Sequence, residues 1–206
     1  MYDSINKFPN GSTPLNILSC SSNSSSVKIS SFSNSFLKVF IKSPLILIDW
    51  LSKNIPDSDE TTIVHGDYRL GNLIYDLNEP KVIAVLDWEL STLGHPLADL
   101  GYSLMLHEED SEVRTGFSLK NLDLESLGIP TKNYLVQKYC EMVGREVINP
   151  NFYIVFSMFR NAAILEGVLS RGRAGNAASS SAEEKGALAK PIAKIAWDLV
   201  KNSNLD

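Results

Sequence analysis

The sequence predicts an α/β domain in which a few short strands surround one polar loop and a helical bundle lies behind them. Apolar runs at residues 61–64, 73–75 and 82–86 have the length of short strands, and they flank a polar loop at residues 65–72. After residue 149, apolar side chains recur at helical spacing over two long segments. A hydrophobic content of 44% and a charged content of 21% are ordinary for a globular domain, so they restrict the class and not the function.

The first 43 residues differ in composition from the rest of the chain. Ten of the seventeen residues from Ser19 to Ser35 are serine, and such a segment has too little apolar surface to offset the entropy of ordering it. The same 43 residues carry four lysines and one acid, a net charge of +3. Because the whole chain has a net charge of −5, residues 44–206 carry a net charge of −8. We expect a serine-rich disordered leader over residues 1–43 and one folded domain over residues 44–206.

Charge and cysteine usage also limit the partners and the compartment. An acidic body disfavours nucleic acid as a partner. The longest apolar segment, Phe36–Leu51, is too short and too charged to cross a bilayer, so no membrane partner is expected. Cys20 and Cys140 have neither metal-site nor disulfide spacing, which indicates an intracellular, reducing compartment. Cytoplasmic, mitochondrial and peroxisomal locations stay open, and the sequence does not indicate an oligomeric state.

The elements of the first half follow from proline positions and apolar runs. Pro44 opens a helix that ends before Ile55, because the residue before Pro56 avoids the helical region. The three apolar runs come next as strands. The third of them, Val82–Leu86, delivers Asp87 at its end.

Helices fill the remainder. Pro96 opens one in which Asp99 falls in the first turn, where a carboxylate favours the positive helix end, and this interpretation is preferred to a catalytic role for Asp99. A long helix spans residues 149–172. The capping box Ser181–Glu184 opens a final helix that continues to residue 199.

Two further features have competing interpretations. The basic segment at residues 170–177 either meets an anionic substrate or is a solvated loop, and both readings stay open. His95 and His107 lack a second histidine or cysteine at metal-ligand spacing, so a bridging or capping role is preferred to metal binding.

The polar loop carries the residue types of phosphoryl transfer. Such a reaction needs a carboxylate to accept the proton of the attacking hydroxyl and oxygen ligands that hold magnesium against the phosphates. Asp67, Asn72 and Asp87 supply these groups, and Arg69 lies where it could neutralise the transferring phosphoryl group. The alternative is that Asp67 and Asn72 only form turns and that Asp87 caps a strand end.

These residues resemble a known family. The segments His-Gly-Asp-Tyr-Arg-Leu-Gly-Asn-Leu and Val-Ile-Ala-Val-Leu-Asp-Trp-Glu-Leu are similar to those of the aminoglycoside phosphotransferase and choline kinase-like group, in particular the kinase-like domain of acyl-CoA dehydrogenase family members ten and eleven. The likeness runs from about Leu45 to about Val200 and is densest from Ile63 to Tyr102. It implies a protein-kinase-like fold, of which this chain would be the mostly helical carboxy-terminal lobe.

The same resemblance implies roles for single residues. Asp67 would be the catalytic base, Asn72 and Asp87 would hold Mg²⁺ and so bind the ATP cofactor, and His65 and Asp99 would brace the loop. Kinases of this fold also use a glycine-rich loop and a strand lysine from an amino-terminal lobe, and neither is found in residues 1–43.

Two functions remain. The first is an ATP- and Mg²⁺-dependent phosphotransferase that acts on a small-molecule hydroxyl, with the resemblance suggesting a hydroxylated acyl compound. Because the nucleotide-binding lobe is not found, we expect the chain alone to be a truncated form with little or no activity and doubtful ATP binding. The second is a non-catalytic, kinase-like remnant that serves as a binding module.

Overall fold

The computed structural model describes residues 42–58, 60–110, 118–175 and 181–203. The predicted leader at residues 1–43 therefore lies outside the described residues except for its last two, and so do residues 176 and 177 of the basic segment. All described residues belong to one compact unit, Ser33–Asp206.

The helices are arranged around one long central helix. Their bounds are α1 (Lys42–Lys53), α2 (Leu97–Leu104), α3 (Lys132–Val143), α4 (Asn151–Arg173), α5 (Ala182–Ala187) and α6 (Ala189–Asn202). Helix α4 packs against α1, α2, α5 and α6, and most of the core lies along it. The helices predicted at Pro44, at Pro96 and over residues 149–172 are all present.

The core is apolar and closely packed. Gly101 allows α2 to approach α4, because a Cβ atom at this position would lie 2.5 Å from the backbone carbonyl carbon of Tyr153. The buried apolar residues of the cluster are Leu47, Leu51, Leu104, Met105, Val136, Cys140, Ile154, Val155, Met158, Ala162, Ile192, Ala193, Ala196 and Val200.

Four short strands form two antiparallel pairs at one end of the bundle. Strand β1 (Thr62–Val64) pairs with β4 (Thr92–Gly94), with Ile63 opposite Leu93. Strand β2 (Leu73–Tyr75) pairs with β3 (Val82–Val85), with Leu73 opposite Val85. The three predicted strands are present; β4 was not predicted, since Leu93 is its one large apolar residue and it forms no apolar run.

The predicted final helix is in fact two helices. Helix α5 begins at Ala182 as expected, but it ends at Ala187 and α6 begins at Ala189. Pro191 explains the break, because a proline inside a continuous helix would remove one hydrogen bond and clash with the carbonyl four residues earlier. In the first turn of a new helix its missing N–H is not needed.

Two other elements differ from the sequence prediction. Helix α3 was not predicted; its ends are set by the Thr131 hydroxyl, which accepts a hydrogen bond from the Tyr134 N–H at 3.3 Å, and by Gly144 at φ 69°. The basic segment is not a loop at its start, since Arg171 and Arg173 lie in the last turn of α4.

Helix α4 has 23 residues and a mean hydropathy of 1.4 in its most apolar window, which satisfies the length and composition of a bilayer span. It is the one helix of the described residues that does so. Because it is the central helix of the bundle, its apolar character has an explanation in core packing.

Candidate active site

The two strand pairs bring the polar loop and Asp87 together. The loop connects β1 to β2, and its last residue, Asn72, lies in a 3-10 turn directly before β2. The backbone carbonyl of Asn72 accepts a hydrogen bond from the N–H of Leu86 at 2.8 Å, which extends the β2–β3 pairing by one step. Asp87 follows Leu86 and therefore lies beside the end of the loop.

His65 connects the loop to the segment after β3. Its ring is buried, with 2% of the residue exposed. The N–H of Asp67 donates to Nδ1 at 3.1 Å, so Nε2 carries the hydrogen and donates to the carbonyl of Leu86 at 2.7 Å. Both ring nitrogens are used in holding the backbone, and the Trp88 ring covers the imidazole at 4.7 Å between centroids.

Asp99 holds the start of the loop from the first turn of α2. Its carboxylate accepts hydrogen bonds from the N–H of His65 at 2.6 Å and from the N–H of Gly66 at 2.9 Å. Gly66 has φ 83°, and a Cβ atom there would lie 2.6 Å from the carbonyl oxygen of Leu90. Only glycine fits this turn without strain.

Asp67 is the centre of a hydrogen-bond cluster. Its Oδ2 accepts from Arg69 Nε at 3.0 Å and from Asn72 Nδ2 at 2.9 Å. Burial raises the pKa of the Asp67 carboxyl, but the polar groups of Tyr102, Arg69 and Asn72 together outweigh burial and hold the pKa below its usual value. The same contact raises the pKa of the Arg69 guanidinium. Asp67 is therefore a carboxylate at neutral pH.

The orientation of the Asn72 amide follows from its neighbours. Its Nδ2 faces two acceptors, the carbonyl oxygen and Oδ2 of Asp67, both at 2.9 Å. Since an amide oxygen cannot face two acceptors, the nitrogen must point this way. The amide oxygen of Asn72 then accepts no hydrogen bond from the described residues and points away from Asp67.

Asp87 is exposed and has a strained backbone. Its φ of 67° and ψ of 48° lie in the left-handed region, which aspartate tolerates better than most residues with a side chain. The charge of Asp87 contributes to the raised pKa of Arg69, so Asp87 interacts electrostatically with the loop. Backbone strain of this kind persists where the surrounding structure fixes it, often at functional sites.

The residues available to a magnesium ion fit its preferences in part. Mg²⁺ takes oxygen ligands, usually keeps several waters and needs few protein groups. The Asn72 amide oxygen and the Asp87 carboxylate are such ligands at the end of one strand pair. No group of three or more histidine, cysteine or acidic residues with metal-binding geometry occurs among the described residues.

Sequence reasoning missed three residues that support the loop directly or through a neighbour. Ser103 Oγ donates to the carbonyl of Tyr68 at 2.8 Å. The Tyr102 ring lies with its centre 5.1 Å from the guanidinium carbon of Arg160, whose Nη2 donates to the carbonyl of Gly66 at 2.5 Å. A signal was available for the first two, because they lie three and four residues after Asp99 and so share its helix face. Arg160 is 94 residues from Gly66 in the sequence, and no local pattern indicates that contact.

His95 bridges elements near the site, as predicted. Its Nδ1 accepts the N–H of Leu97 at 3.2 Å at the start of α2, and its Nε2 lies 3.0 Å from Ser58 Oγ and 3.3 Å from the Tyr153 hydroxyl.

Comparison with known proteins identifies the domain. Residues 34–126 match the phosphotransferase enzyme family. This chain carries a domain of that family. The phosphotransferase domain is also similar to acyl-CoA dehydrogenase family member 10 of Mus musculus, with 45% identity over 74% of this chain and 14% of the mouse protein. Acyl-CoA dehydrogenase family member 11 of Homo sapiens shares 38% identity over 76% of this chain and 20% of that protein.

A solved structure shows the fold. A crystal structure from Ralstonia eutropha JMP134, provisionally named an aminoglycoside phosphotransferase, matches with a TM-score of 0.73 and 42% identity, over 82% of this chain and 51% of that chain. The predicted kinase-like, mostly helical fold with a few short strands is confirmed. The chain thus spans about half of this structural neighbour and 14–20% of the two named relatives.

Proposed function

We propose that the phosphotransferase domain transfers a phosphoryl group from Mg²⁺-bound ATP to the hydroxyl of a small molecule, with Asp67 facing that hydroxyl. The observation that carries the proposal is the convergence of Arg69 and Asn72 on Oδ2 of the Asp67 carboxylate. Two donors on one carboxylate fix its direction, and phosphoryl transfer in kinases depends mainly on positioning and charge stabilisation.

The lowered pKa of Asp67 defines its role. An efficient general base has a pKa near the working pH, and the pKa of Asp67 lies well below that pH. Asp67 would therefore orient the attacking hydroxyl through a hydrogen bond and receive its proton late, when the oxygen has begun to bond phosphorus.

Asn72 and Asp87 would hold the magnesium ion. The ion would bridge the phosphates and offset the charge that builds up on them. The Asn72 amide nitrogen is already bound to Asp67, so its oxygen is fixed on the opposite side. One side chain thus connects the metal site to the carboxylate that faces the substrate.

Arg69 would act on the phosphoryl group. It is 46% exposed, so its side chain can leave Asp67 at little cost when a negatively charged group arrives. A guanidinium offers several donors in one plane and suits phosphate oxygens.

The substrate class is part of the proposal. The mouse and human relatives are named acyl-CoA dehydrogenase family members, which suggests a hydroxylated acyl compound as acceptor. We also propose an intracellular, reducing setting, in keeping with the free thiol of the buried Cys140.

A second function, a non-catalytic binding module, is favoured by the apolar surface of the strand pairs. Ile63 and Leu93 lie opposite each other on β1 and β4 and are 68% and 71% exposed. On the other pair, Ile74 and Ile83 are 40% and 55% exposed. Exposed large apolar side chains beside a polar site are typical of a surface that binds another domain or protein.

One assay separates the two functions. Acceptor-dependent ADP release would be measured with a panel of aminoglycosides, choline and hydroxyacyl compounds. It would be run on this chain and on a chimera that adds the part of the Ralstonia eutropha protein outside the matched region. Acceptor-dependent release by either protein supports the phosphotransferase. If neither protein releases ADP while both bind the acceptors or another protein, the binding module is the better account.

A further inference from the structure

The peptide group between Gly66 and Asp67 is held at both of its polar ends. Its carbonyl oxygen, which belongs to Gly66, accepts a hydrogen bond from Arg160 Nη2 at 2.5 Å. Its N–H, which belongs to Asp67, donates to His65 Nδ1 at 3.1 Å. Because a peptide group is planar and this one ends at the Cα atom of Asp67, its orientation sets the direction in which the Asp67 side chain leaves the backbone.

Gly66 does not fix this orientation by itself. The turn requires a glycine, since the residue has φ 83° and a Cβ atom would lie 2.6 Å from the carbonyl oxygen of Leu90. A glycine, however, populates many backbone conformations about equally well, so the peptide that follows it needs an external restraint. Arg160 supplies that restraint from α4, the central helix of the bundle.

The Arg160 guanidinium is itself held in place. Its carbon atom lies 5.1 Å from the centre of the Tyr102 ring on α2, a cation–π contact, and the residue is partly buried. A planar guanidinium with several donors can lie over a ring and donate to a carbonyl at the same time. A lysine keeps the charge but has a single nitrogen, so it cannot reproduce both contacts with this geometry.

We infer that Arg160 is a positioning residue that fixes the Gly66–Asp67 peptide and, through it, the direction of the Asp67 carboxylate. The inference rests on the proposed role of Asp67 and adds the residue that holds its backbone. Arg69 contacts the carboxylate itself, but it is half exposed and would turn to the phosphoryl group during the reaction. The backbone contact from Arg160 would remain when Arg69 leaves.

The backbone contact is tested without any assay of activity. Gly66–Asp67 is the one Gly-Asp pair of the sequence, so the full chain with ¹³C at the glycine carbonyl carbon and ¹⁵N in aspartate gives one amide signal that carries both labels. We expect Arg160→Met, which keeps an unbranched stem and removes every donor, to move the carbonyl resonance of that signal upfield. The reason is that a hydrogen bond to a carbonyl oxygen deshields the carbonyl carbon.

The control is the same substitution at an exposed position of the same helix. Arg171→Met should leave the resonance in place. If Arg160→Met does not fold, the comparison is made between Arg160→Lys and Arg171→Lys, with a smaller upfield shift expected for Arg160→Lys. A resonance that does not move in the folded Arg160 variant overturns the inference.

The positioning role is tested by kinetics on whichever protein is active in the ADP-release assay. We expect Arg160→Lys to lower kcat by about tenfold and to leave both KM values within about twofold of the parent, because a misdirected carboxylate affects transfer and not binding. Arg171→Lys should keep the parent kcat. An Arg160→Lys variant with a shifted carbonyl resonance and the parent kcat overturns the inference.

The two hypotheses fail in different ways. Transfer that survives Asp67→Asn contradicts the proposed function itself. Transfer that is lost in Asp67→Asn but intact in Arg160→Lys contradicts only the positioning role.

Discussion

At the scale of single residues, the site depends on backbone conformations that side chains restrict. Gly66 and Asp87 both have positive φ; Gly66 lies at the start of the polar loop and Asp87 follows β3. Gly66 has a second constraint, since a Cβ atom would lie 2.6 Å from a backbone oxygen that cannot rotate away. Gly128 has a similar φ of 65° and open space around it.

We predict that Gly66→Ala and Gly128→Ala separate these two constraints. Gly128→Ala should lower the free energy of unfolding by about 1 kcal/mol, the cost of a left-handed conformation alone. Gly66→Ala should lower it by more than about 2 kcal/mol, because backbone strain and the contact with Leu90 add together. Urea denaturation of both variants measures the difference, and equal losses would show that the close approach at Gly66 is absent.

The proposed metal site leads to a second prediction at the scale of single residues. Calorimetric titration of the chain should show weak Mg²⁺ binding, and Asp87→Asn should weaken it by about tenfold, since ligand charge sets the affinity of such sites. Asp49→Asn is the matched control, because the Asp49 side chain is exposed on α1 and, within the described part of the chain, pairs with Lys53 alone. Binding that is unchanged in Asp87→Asn would place the metal elsewhere.

At the scale of elements, the position of α2 decides the geometry of the loop. Its close packing on α4 depends on Gly101, a glycine in the middle of a helix. A glycine at such a position normally costs stability relative to alanine, so its presence indicates a contact that leaves no room for a methyl group.

Two helical glycines therefore form a matched pair. Gly101→Ala should lower the free energy of unfolding by about 1–3 kcal/mol, because the new methyl group would overlap the Tyr153 backbone. Gly167→Ala on α4 should raise it by about 0.5–1 kcal/mol, since its methyl group would meet only the end of the Arg171 side chain at 3.5 Å. Thermal and urea unfolding check both values. A stabilised Gly101→Ala variant would contradict the described packing of α2 on α4.

The contribution of the start of α2 to the stability of the domain should also depend on pH. Burial lowers the pKa of His95, with a smaller opposing effect from Glu60 and a smaller lowering effect from Arg145. Because the folded state binds this proton less readily than the unfolded state, the contribution of His95 to stability is complete above about pH 6.5 and is lost as the pH falls further. Protonation of Nδ1 would also end its hydrogen bond from Leu97.

Unfolding measurements at pH 7.5 and 5.5 test the His95 prediction. The parent protein should lose more stability between the two values than His95→Gln, which has no group to titrate there. The same loss in both proteins would assign the pH dependence to other groups.

At the scale of the whole molecule, some features of the fold and of the candidate site could be predicted from the sequence and others could not. Asp67, Asn72 and Asp87 could be proposed as site residues from the sequence because each lies close to the end of an apolar run that forms a strand, and a strand end is a local property. The long helix α4 was predictable for the same reason. Tyr102 and Arg160 were not predicted as part of the site, because their contacts join α2, α4 and the loop across long stretches of chain.

The break between α5 and α6 shows a different limit. The capping box at Ser181 correctly predicted where the helical segment begins. Apolar residues continue at helical spacing past Leu188, so the periodicity alone predicted one helix where the structure has two. Pro191 was the local signal for the break, and steric exclusion by proline overrode the apolar pattern.

The central claim is that Asp67 directs phosphoryl transfer to a hydroxyl. Single-turnover transfer of the γ-phosphoryl group would be measured for the protein that releases ADP with an acceptor, alongside its Asp67→Asn and Asp49→Asn variants. The account predicts that Asp67→Asn lowers the rate by about a hundredfold or more, while its stability and ATP binding stay close to those of the parent. Asp49→Asn should retain the full rate. An Asp67→Asn variant that transfers phosphate within about twofold of the parent rate would contradict the claim.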